Sequence, residues 1–254
     1  MTDMRGQVAI ITGAGSGLGR AIARIFVKRG AAVVVADIDA DSGRAVVSEL
    51  CGAGGRAIFA RTDVSNEADV RSLMEETLRA YGRLDYAVNN AGIDGPVLPL
   101  AEQSAESFQR VVAVNLMGVF FGLKHQIPIM VKQGGGSIVN TSSIAGLRGH
   151  PGIGPYVAAK HGVNGLTKTA AIEYGPKRVR VNSICPGGIR TPMLDSYLAQ
   201  APELKAAIID GNPLRRLGEA EEMAEAAVWL CSSAASYVNG HELVIDGGKI
   251  VSDV

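Results

Sequence analysis

A tyrosine and a lysine four residues apart, Tyr156 and Lys160, form the pair with the clearest chemical potential in this sequence. On a helix, this spacing places both side chains on one face, about 40° apart around the axis. A free phenol has a pKa of about 10, which is too high for efficient proton exchange at neutral pH. A nearby ammonium lowers that pKa, so the pair predicts a tyrosine general acid/base. The same spacing is also common on the surface of amphipathic helices.

A glycine-rich segment near the N-terminus has the composition of a phosphate-binding turn. Thr12-Gly-Ala-Gly-Ser-Gly-Leu-Gly19 lies between a predicted strand at 8–12 and a predicted helix at 18–29. Glycine permits the turn and a close approach of phosphate to the N–H groups at the helix N-terminus, where the helix dipole favours negative charge. Asp37 ends the next predicted strand, 20 residues after Gly17, which is the separation expected of a ribose-binding carboxylate.

Asp37 also predicts which dinucleotide binds. Its carboxylate can accept hydrogen bonds from the adenosine ribose hydroxyls, and it repels a 2′-phosphate. The sequence has no Lys or Arg from 12 to 19, nor at Ile38, where a phosphate partner would be placed. We therefore expect NAD rather than NADP. A plainer role, as an acid that starts the following helix, suits Asp39 and Asp41 better.

Alternating strands and helices must position these residues. The predicted strands are 8–12, 32–37, 56–61, 84–89, 137–141, 179–184 and 243–245, and the predicted helices are 18–29, 41–51, 67–81, about 104–132 and about 156–174. The run 31–36 is wholly apolar, as expected of a strand covered by helices on both faces. The pattern predicts an α/β protein: one Rossmann-like domain over 1–254, with a doubly wound parallel sheet of about seven strands and helices on both faces.

Composition excludes several other classes of protein. Twenty-five basic and 25 acidic residues give a net charge of zero, which disfavours binding to nucleic acid or to an anionic membrane surface. No uninterrupted apolar run approaches the ~18 residues of a membrane span. Three cysteines without CxxC spacing favour a reducing, cytoplasmic location. The four histidines lack metal-ligand spacing, so we expect no metal site.

The segment 190–218 is the one stretch without clear periodicity, and it contains Pro192, Pro202 and Pro213. Such a segment in a compact fold is typical of a substrate loop or lid. A pair of ordinary short surface helices is the alternative. Its apolar side chains, including Met193 and Tyr197, suggest an apolar or cyclic substrate.

In their order and separation, these motifs resemble the short-chain dehydrogenase/reductases, in their single-domain branch, over essentially the whole chain. The resemblance is carried by 12–19, by Asn89-Asn90-Ala91-Gly92, by Asn115, by Ser143 with Tyr156 and Lys160, and by Pro186-Gly187. It implies an NAD-dependent oxidoreductase that interconverts a secondary alcohol and its ketone by hydride transfer at the nicotinamide.

The resemblance also implies the roles of the catalytic residues. Tyr156 would exchange a proton with the substrate oxygen, and Ser143 would hold that oxygen. Lys160 would lower the tyrosine pKa and bind the nicotinamide ribose, while Asn115 would anchor a water of the proton relay. From the residues alone, Asn115 is equally a buried polar side chain that satisfies backbone groups. Ser142 is a rival for Ser143, but the interval to Tyr156 favours Ser143.

The cofactor contacts that the resemblance implies are Gly13, Ser16, Gly17, Leu18, Gly19, Asp37, Asp63, Val64, Asn90, Ala91, Gly92, Tyr156, Lys160, Pro186, Gly187, Ile189 and Thr191. Asp63 and Val64 would touch adenine, and Ile189 and Thr191 would meet the carboxamide. These sites follow the carboxyl ends of predicted strands, where open α/β sheets bind ligands. The candidate substrate contacts are Ser143, Ile144, His150, Gly188 and Met193.

Two alternative functions remain at this point. An NADPH-dependent 3-oxoacyl-thioester reductase is disfavoured by Asp37, and a non-catalytic dinucleotide sensor is disfavoured by the presence of both Tyr156 and Lys160. Small residues on the 156–174 helix allow close helix packing across a subunit interface, so we expect a homo-oligomer, a tetramer by family habit; they are Ala158, Ala159, Gly162 and Gly165.

Overall fold

The computed structural model describes residues 3–252, so the predicted domain's ends, 1–2 and 253–254, lie outside the described residues. Its strands are β1 (Val8–Thr12), β2 (Ala32–Asp37), β3 (Arg56–Arg61), β4 (Tyr86–Asn89), β5 (Gly136–Thr141), β6 (Val179–Pro186), β7 (Ile189–Arg190), β8 (Gly218–Glu219) and β9 (Glu242–Ile245). Seven of them form a parallel sheet in the order β3-β2-β1-β4-β5-β6-β9, and β7 pairs with β8. The strand order reverses between β1 and β4, which is where such sheets open a ligand crevice.

Helices cover both faces of the sheet, which confirms the predicted doubly wound fold. They are α1 (Gly17–Lys28), α2 (Ala40–Gly52), α3 (Glu67–Tyr81), α4 (Ala105–Val112), α5 (Gly118–Lys132), α6 (Gly154–Tyr174), α7 (Pro192–Gln200), α8 (Leu204–Asp210) and α9 (Ala220–Cys231). One apolar core joins α1, α2 and α9 to the sheet through side chains such as Phe26 and Val228. The other joins α3, α5 and α6 to the opposite face through side chains such as Leu73 and Val163.

The predicted elements differ from the observed ones mainly at their ends. The helix expected at about 156 begins at Gly154, because Pro155 occupies its first turn, where a proline ring fits the required φ and no N–H is lost. The single helix expected over about 104–132 contains a π-helical turn at Ala113–Met117 between α4 and α5. The 190–218 segment contains the short helices α7 and α8. That it acts as a substrate loop or lid stays a prediction.

The run Ala105–Lys132 is long and apolar enough to cross a membrane by length and composition alone. Its hydropathy is a mean over a window that includes polar residues. A search of the sequence for uninterrupted apolar runs therefore does not find this segment. Within the domain, α5 contacts α3, α6, β4 and β5, and its side chains Val119, Leu123 and Ile127 belong to the apolar core. A helix that is packed in a protein core can meet the same criteria of length and composition as a membrane-spanning helix.

A chain of buried polar side chains ties α5 and α6 to the centre of the sheet. The amide of Asn89 exchanges hydrogen bonds with Gln126 (3.1 and 2.7 Å) and donates to Asn140 Oδ1 (2.9 Å). Asn140 in turn donates to Thr167 Oγ1 (2.9 Å). Because each donor finds an acceptor, the network fixes the register of β4 and β5 against the two helices. It thereby positions α6, the helix that carries Tyr156.

The contact between the glycine-rich turn and α1 generates a stability prediction. A Cβ at Gly19 would lie 2.1 Å from the Gly13 carbonyl oxygen, whereas a Cβ at Gly52 on α2 would meet nothing within 4 Å. We expect Gly19→Ala to lower the free energy of unfolding by about 1–3 kcal/mol, since the backbone must move. Gly52→Ala should leave it unchanged or raise it by up to about 1 kcal/mol. Urea unfolding of both variants checks this, and equal stabilities would contradict it.

Candidate active site

A cleft of about 820 Å³ opens at the carboxyl ends of the central strands. It is lined by the predicted residues Gly13, Ser16, Gly17, Leu18, Gly19, Asp37, Asp63, Val64, Asn90, Ala91, Gly92, Ser143, Ile144, His150, Tyr156, Lys160, Pro186, Gly187, Gly188, Ile189, Thr191 and Met193. The structure thus brings the predicted cofactor and substrate residues into one cleft. Of the predicted residues, Asn115 alone does not line it.

The glycine-rich turn leaves the N-terminus of α1 open to a ligand. Ser16 is the N-cap residue but makes no side-chain capping hydrogen bond, and the first turn of α1 contains no acid. Gly13 has a φ of +63°, and a Cβ there would lie 2.8 Å from the Ala91 Cα. Asn90 holds the turn by donating from Nδ2 to the Thr12 carbonyl oxygen at 3.0 Å. This open helix N-terminus fits a dinucleotide pyrophosphate.

Asp37 lies in the cleft wall at the end of β2. Its carboxylate accepts hydrogen bonds from the backbone N–H of Gly15 (2.8 Å) and of Asp39 (3.0 Å). Asp39 caps α2, as expected, so Asp37 is not needed for that role. Arg61 is its register neighbour on β3, but Arg61 is exposed and lies outside the residues that line the cleft. These two hydrogen bonds fix the carboxylate in the cleft wall, where it could accept hydrogen bonds from the hydroxyls of a ribose.

Tyr156, Lys160 and Ser143 lie together in the cleft. Lys160 Nζ donates a 2.7 Å hydrogen bond to the Thr141 carbonyl oxygen at the end of β5 and lies 5.3 Å from the centroid of the Tyr156 ring. The Ser143 side chain lies close enough to the Tyr156 hydroxyl to lower its pKa, and its hydroxyl donates to the Pro186 carbonyl oxygen at 3.5 Å. Ser142 instead donates to the Lys160 carbonyl oxygen at 3.1 Å. The geometry therefore agrees with the choice of Ser143 over Ser142.

Burial controls the protonation of this pair. Desolvation raises the pKa of Tyr156, the negative charge of Asp94 raises it further, and the Ser143 side chain opposes both. Desolvation also lowers the pKa of Lys160 to about 8, against the opposing effects of Cys185 and Asp94. The net shift of the Tyr156 pKa in the protein alone is upward, because desolvation of the phenol dominates. That Lys160 lowers this pKa stays a prediction. At neutral pH, Tyr156 is a neutral proton donor beside a charged lysine.

Asn115 braces the cleft from behind its wall. It is fully buried in the π-helical turn, where its Oδ1 accepts a hydrogen bond from Ile93 N and its Nδ2 donates to Ile93 O, both at 2.8 Å. The side chain therefore fixes the backbone next to Gly92, which lines the cleft. This is the structural role that the residue type alone suggested. That Asn115 also anchors a relay water stays a prediction.

The part of the cleft lined by the predicted substrate contacts is its substrate end. The cleft is also lined by Arg148, Tyr197 and Ile208, and by residues that the sequence did not single out: Asp94, Arg110, Val114, Ile153, Asn212 and Lys249. Asp94 is the only charged residue between Asp85 and Glu102, a signal that could have identified it. His150 lies in the wall, where burial and the nearby charges of Arg148 and Lys249 lower its pKa. His150 is therefore uncharged at neutral pH.

Other residues considered from the sequence have plainer environments. Burial raises the pKa of Cys185, so it is no reactive thiolate. Trp229 is 41% exposed and is thus not a core residue. Among residues 3–252, no group of three or more His, Cys, Asp and Glu side chains is arranged to bind a metal.

The small residues of α6 divide between the chain's own core and its surface. Ala159 is fully buried in this chain, and a Cβ at Gly162 would lie 2.8 Å from Leu116 of the same chain. Ala158 and Gly165 are exposed. The expectation that all four serve a subunit interface is therefore wrong for Ala159, because folding of the single chain already buries it. For Ala158, Gly162 and Gly165 it stays a prediction. The homotetramer stays a prediction.

Comparison with known proteins agrees with this site. The family model described as enoyl-(acyl carrier protein) reductase matches residues 13–249. The chain is 47% identical over 249 residues to 2,5-dichloro-2,5-cyclohexadiene-1,4-diol dehydrogenase of Sphingobium indicum, which covers 98% of each chain. It is similar to the crystal structure of levodione reductase, with a TM-score of 0.94, 42% identity and coverage of 98% of this chain and 99% of that one.

A second solved structure is similar at the same level. It is 7α-hydroxysteroid dehydrogenase complexed with NADH and 7-oxoglycochenodeoxycholic acid, with a TM-score of 0.92, 37% identity and coverage of 97% of this chain and 95% of that one. The chain belongs to the short-chain dehydrogenase/reductase family, as the motifs predicted. It is an oxidoreductase of the dehydrogenase class, which binds a nicotinamide dinucleotide.

Proposed function

We propose that this protein is an NAD-dependent dehydrogenase that interconverts a cyclic secondary alcohol and its ketone. The observation that carries the proposal is the Tyr156 hydroxyl, which interacts with Ser143 beside the buried Lys160 ammonium, in the same cleft as the open N-terminus of α1. A proton donor and acceptor next to a dinucleotide site is what hydride transfer at an alcohol carbon requires.

In the direction of ketone reduction, the Tyr156 and Ser143 hydroxyls hold the substrate oxygen. The nicotinamide cofactor, which the glycine-rich turn and Asp37 would hold, would supply the hydride for ketone reduction and accept it for alcohol oxidation. Tyr156 donates its proton to the oxygen as negative charge develops there, which yields the alcohol and a phenolate. Lys160, fixed by the Thr141 carbonyl, stabilises that phenolate electrostatically. For alcohol oxidation, the phenolate takes the proton back.

Two observations support NAD as the cofactor. The Asp37 carboxylate lies in the cleft wall at the end of β2, where it would accept hydrogen bonds from the adenosine ribose hydroxyls, and two backbone N–H groups hold its oxygens. A 2′-phosphate at that position would face an unpaired like charge. The related 7α-hydroxysteroid dehydrogenase was solved with NADH, the cofactor without that phosphate.

The lining of the substrate end supports a cyclic, largely apolar substrate. Ile93, Ile144, Ile153, Met193 and Leu194 present apolar surface to the cleft. Burial of apolar ring atoms against such side chains is favourable in proportion to the area removed from water. The names of the related proteins include a cyclohexadiene-diol and a steroid, which are cyclic alcohols.

The cofactor assignment is tested at Asp37. We expect the parent protein to bind NADH at least about 100-fold more tightly than NADPH, because the 2′-phosphate is repelled. Asp37→Ser should reduce this preference at least about tenfold by removing the charge. Asp39→Ser is the matched control, since serine also caps helices and the change removes a charge two residues away. Fluorescence titration measures the six affinities, two for each of the three proteins; a parent that prefers NADPH contradicts the assignment.

The catalytic assignment is tested at Tyr156. Tyr156→Phe should lower kcat for cyclohexanol oxidation by about 10²–10⁴-fold, because the proton acceptor is lost, while NADH binding stays close to that of the parent. Tyr174→Phe makes the same chemical change on the same helix, outside the cleft, and should keep the parent rate. Steady-state absorbance of NADH provides the rates. If Tyr156→Phe turns over as fast as the parent, the protein is not the proposed dehydrogenase, and the sensor alternative gains support.

A further inference from the structure

Asp94 is a partly buried carboxylate in the wall of the substrate end of the cleft. No donor within residues 3–252 forms a hydrogen bond with its oxygens, although it feels the charge of Lys160. Its own charge acts on the hydroxyls of Tyr156 and of Tyr197 on α7. Asp94 therefore lies in the same cleft as the reacting groups, close enough for its charge to act on the catalytic centre and on the 190–218 segment.

The backbone that carries Asp94 is held firmly. Asn115 makes two 2.8 Å hydrogen bonds to the backbone of Ile93, the preceding residue. On the other side, Gln103 Nε2 donates to the carbonyl oxygens of Pro96 (3.2 Å) and Leu98 (3.0 Å). A carboxylate on such a backbone is presented to the cleft in a fixed place, as a specificity-determining group must be.

The protonation state of Asp94 indicates which ligand groups it can bind. Desolvation raises the pKa of Asp94 to about 6, against the opposing charge of Lys160, so the group is predominantly ionised at neutral pH. A substrate that fills the cleft displaces water from this carboxylate. The loss of that water is costly unless the substrate supplies an O–H donor in its place.

The reacting hydroxyl of the substrate is already engaged by Tyr156 and Ser143. A donor for Asp94 must therefore come from a second hydroxyl elsewhere on the substrate. We infer that Asp94 makes the protein selective for cyclic diols over cyclic mono-alcohols, by accepting a hydrogen bond from the hydroxyl that does not react. This inference rests on the proposed function, and it narrows the substrate class to ring compounds with two hydroxyl groups, or with one hydroxyl and one carbonyl after oxidation.

Binding without turnover tests this inference directly. The probes are cis- and trans-cyclohexane-1,4-diol and cyclohexanol, and their affinities are measured by calorimetry with NAD bound, in a Tyr156→Phe background. We expect at least one diol to bind about ten- to a hundredfold more tightly than cyclohexanol, as for a hydrogen bond to a charged group. Asp94→Ala should bring the ratio of the two affinities close to one. Asp94→Asn keeps an oxygen acceptor without the charge and should retain part of the preference.

Asp195→Asn is the matched control, because Asp195 is an exposed carboxylate on α7 that does not line the cleft. It should keep the full diol preference. Equal affinities for diol and mono-alcohol in the Tyr156→Phe background, or no measurable diol binding, overturn the inference. So does a diol preference that Asp94→Ala and Asp94→Asn both leave intact.

Turnover by the parent protein distinguishes failure of this inference from failure of the proposed function. If the parent oxidises cyclohexanol and the diols at the same kcat/KM and binds them equally, the dehydrogenase stands and the role of Asp94 fails. If the parent oxidises none of the three while the Asp94-dependent preference in binding remains, the proposed function fails and the recognition of diols stands.

Discussion

The site depends on one buried hydrogen bond, from the Lys160 ammonium to the Thr141 carbonyl oxygen at the end of β5. The lysine is 3% exposed, so its charge carries a desolvation cost that lowers its pKa. The carbonyl offsets part of this cost and fixes the ammonium at the edge of the sheet. Because Lys160 and Tyr156 share one face of α6, the same bond sets where the phenol enters the cleft. The polar network from Asn89 to Thr167 holds α6 in the same register.

Burial determines which protonation state of Tyr156 the site favours, and hence which direction of the reaction the protein alone favours. It keeps the Tyr156 phenol neutral, which suits proton donation during ketone reduction. Alcohol oxidation requires the phenolate, and the positive charge of an oxidised nicotinamide would favour it in addition to Lys160. Asp94 acts in the opposite sense, since its negative charge raises the tyrosine pKa. A substrate hydroxyl bound to Asp94 would spread that charge, so substrate recognition and proton transfer are coupled in one cleft.

Much of this was predictable from the sequence, because local patterns determine it. The apolar runs and the turn glycines place the strands and the 12–19 turn close to where they are found, and ligand residues follow strand ends in any open α/β sheet. Ser143 and Tyr156 meet because one follows β5 and the other lies at the start of α6. The spacing of a motif is sufficient to predict such neighbours.

What the sequence could not predict depends on the three-dimensional surroundings of each group. The Tyr156 pKa follows from desolvation, which no spacing reveals, and the partner of Asn115 is a backbone group 22 residues away. Ala159 is buried in its own chain because of how α6 packs on the sheet. The sequence did not identify Asp94, because a single acid in an apolar loop matches no motif. That it is the one charged residue from 86 to 101 was visible in the sequence.

The most direct test of this account is an ultraviolet titration of phenolate formation in the parent protein and in Tyr156→Phe, without cofactor. The difference between the two reports Tyr156 alone. The account predicts no ionisation of Tyr156 below a pH of about 10, the midpoint of a free phenol. Ionisation of Tyr156 near neutral pH would contradict it, because Lys160 would then outweigh burial in the protein alone.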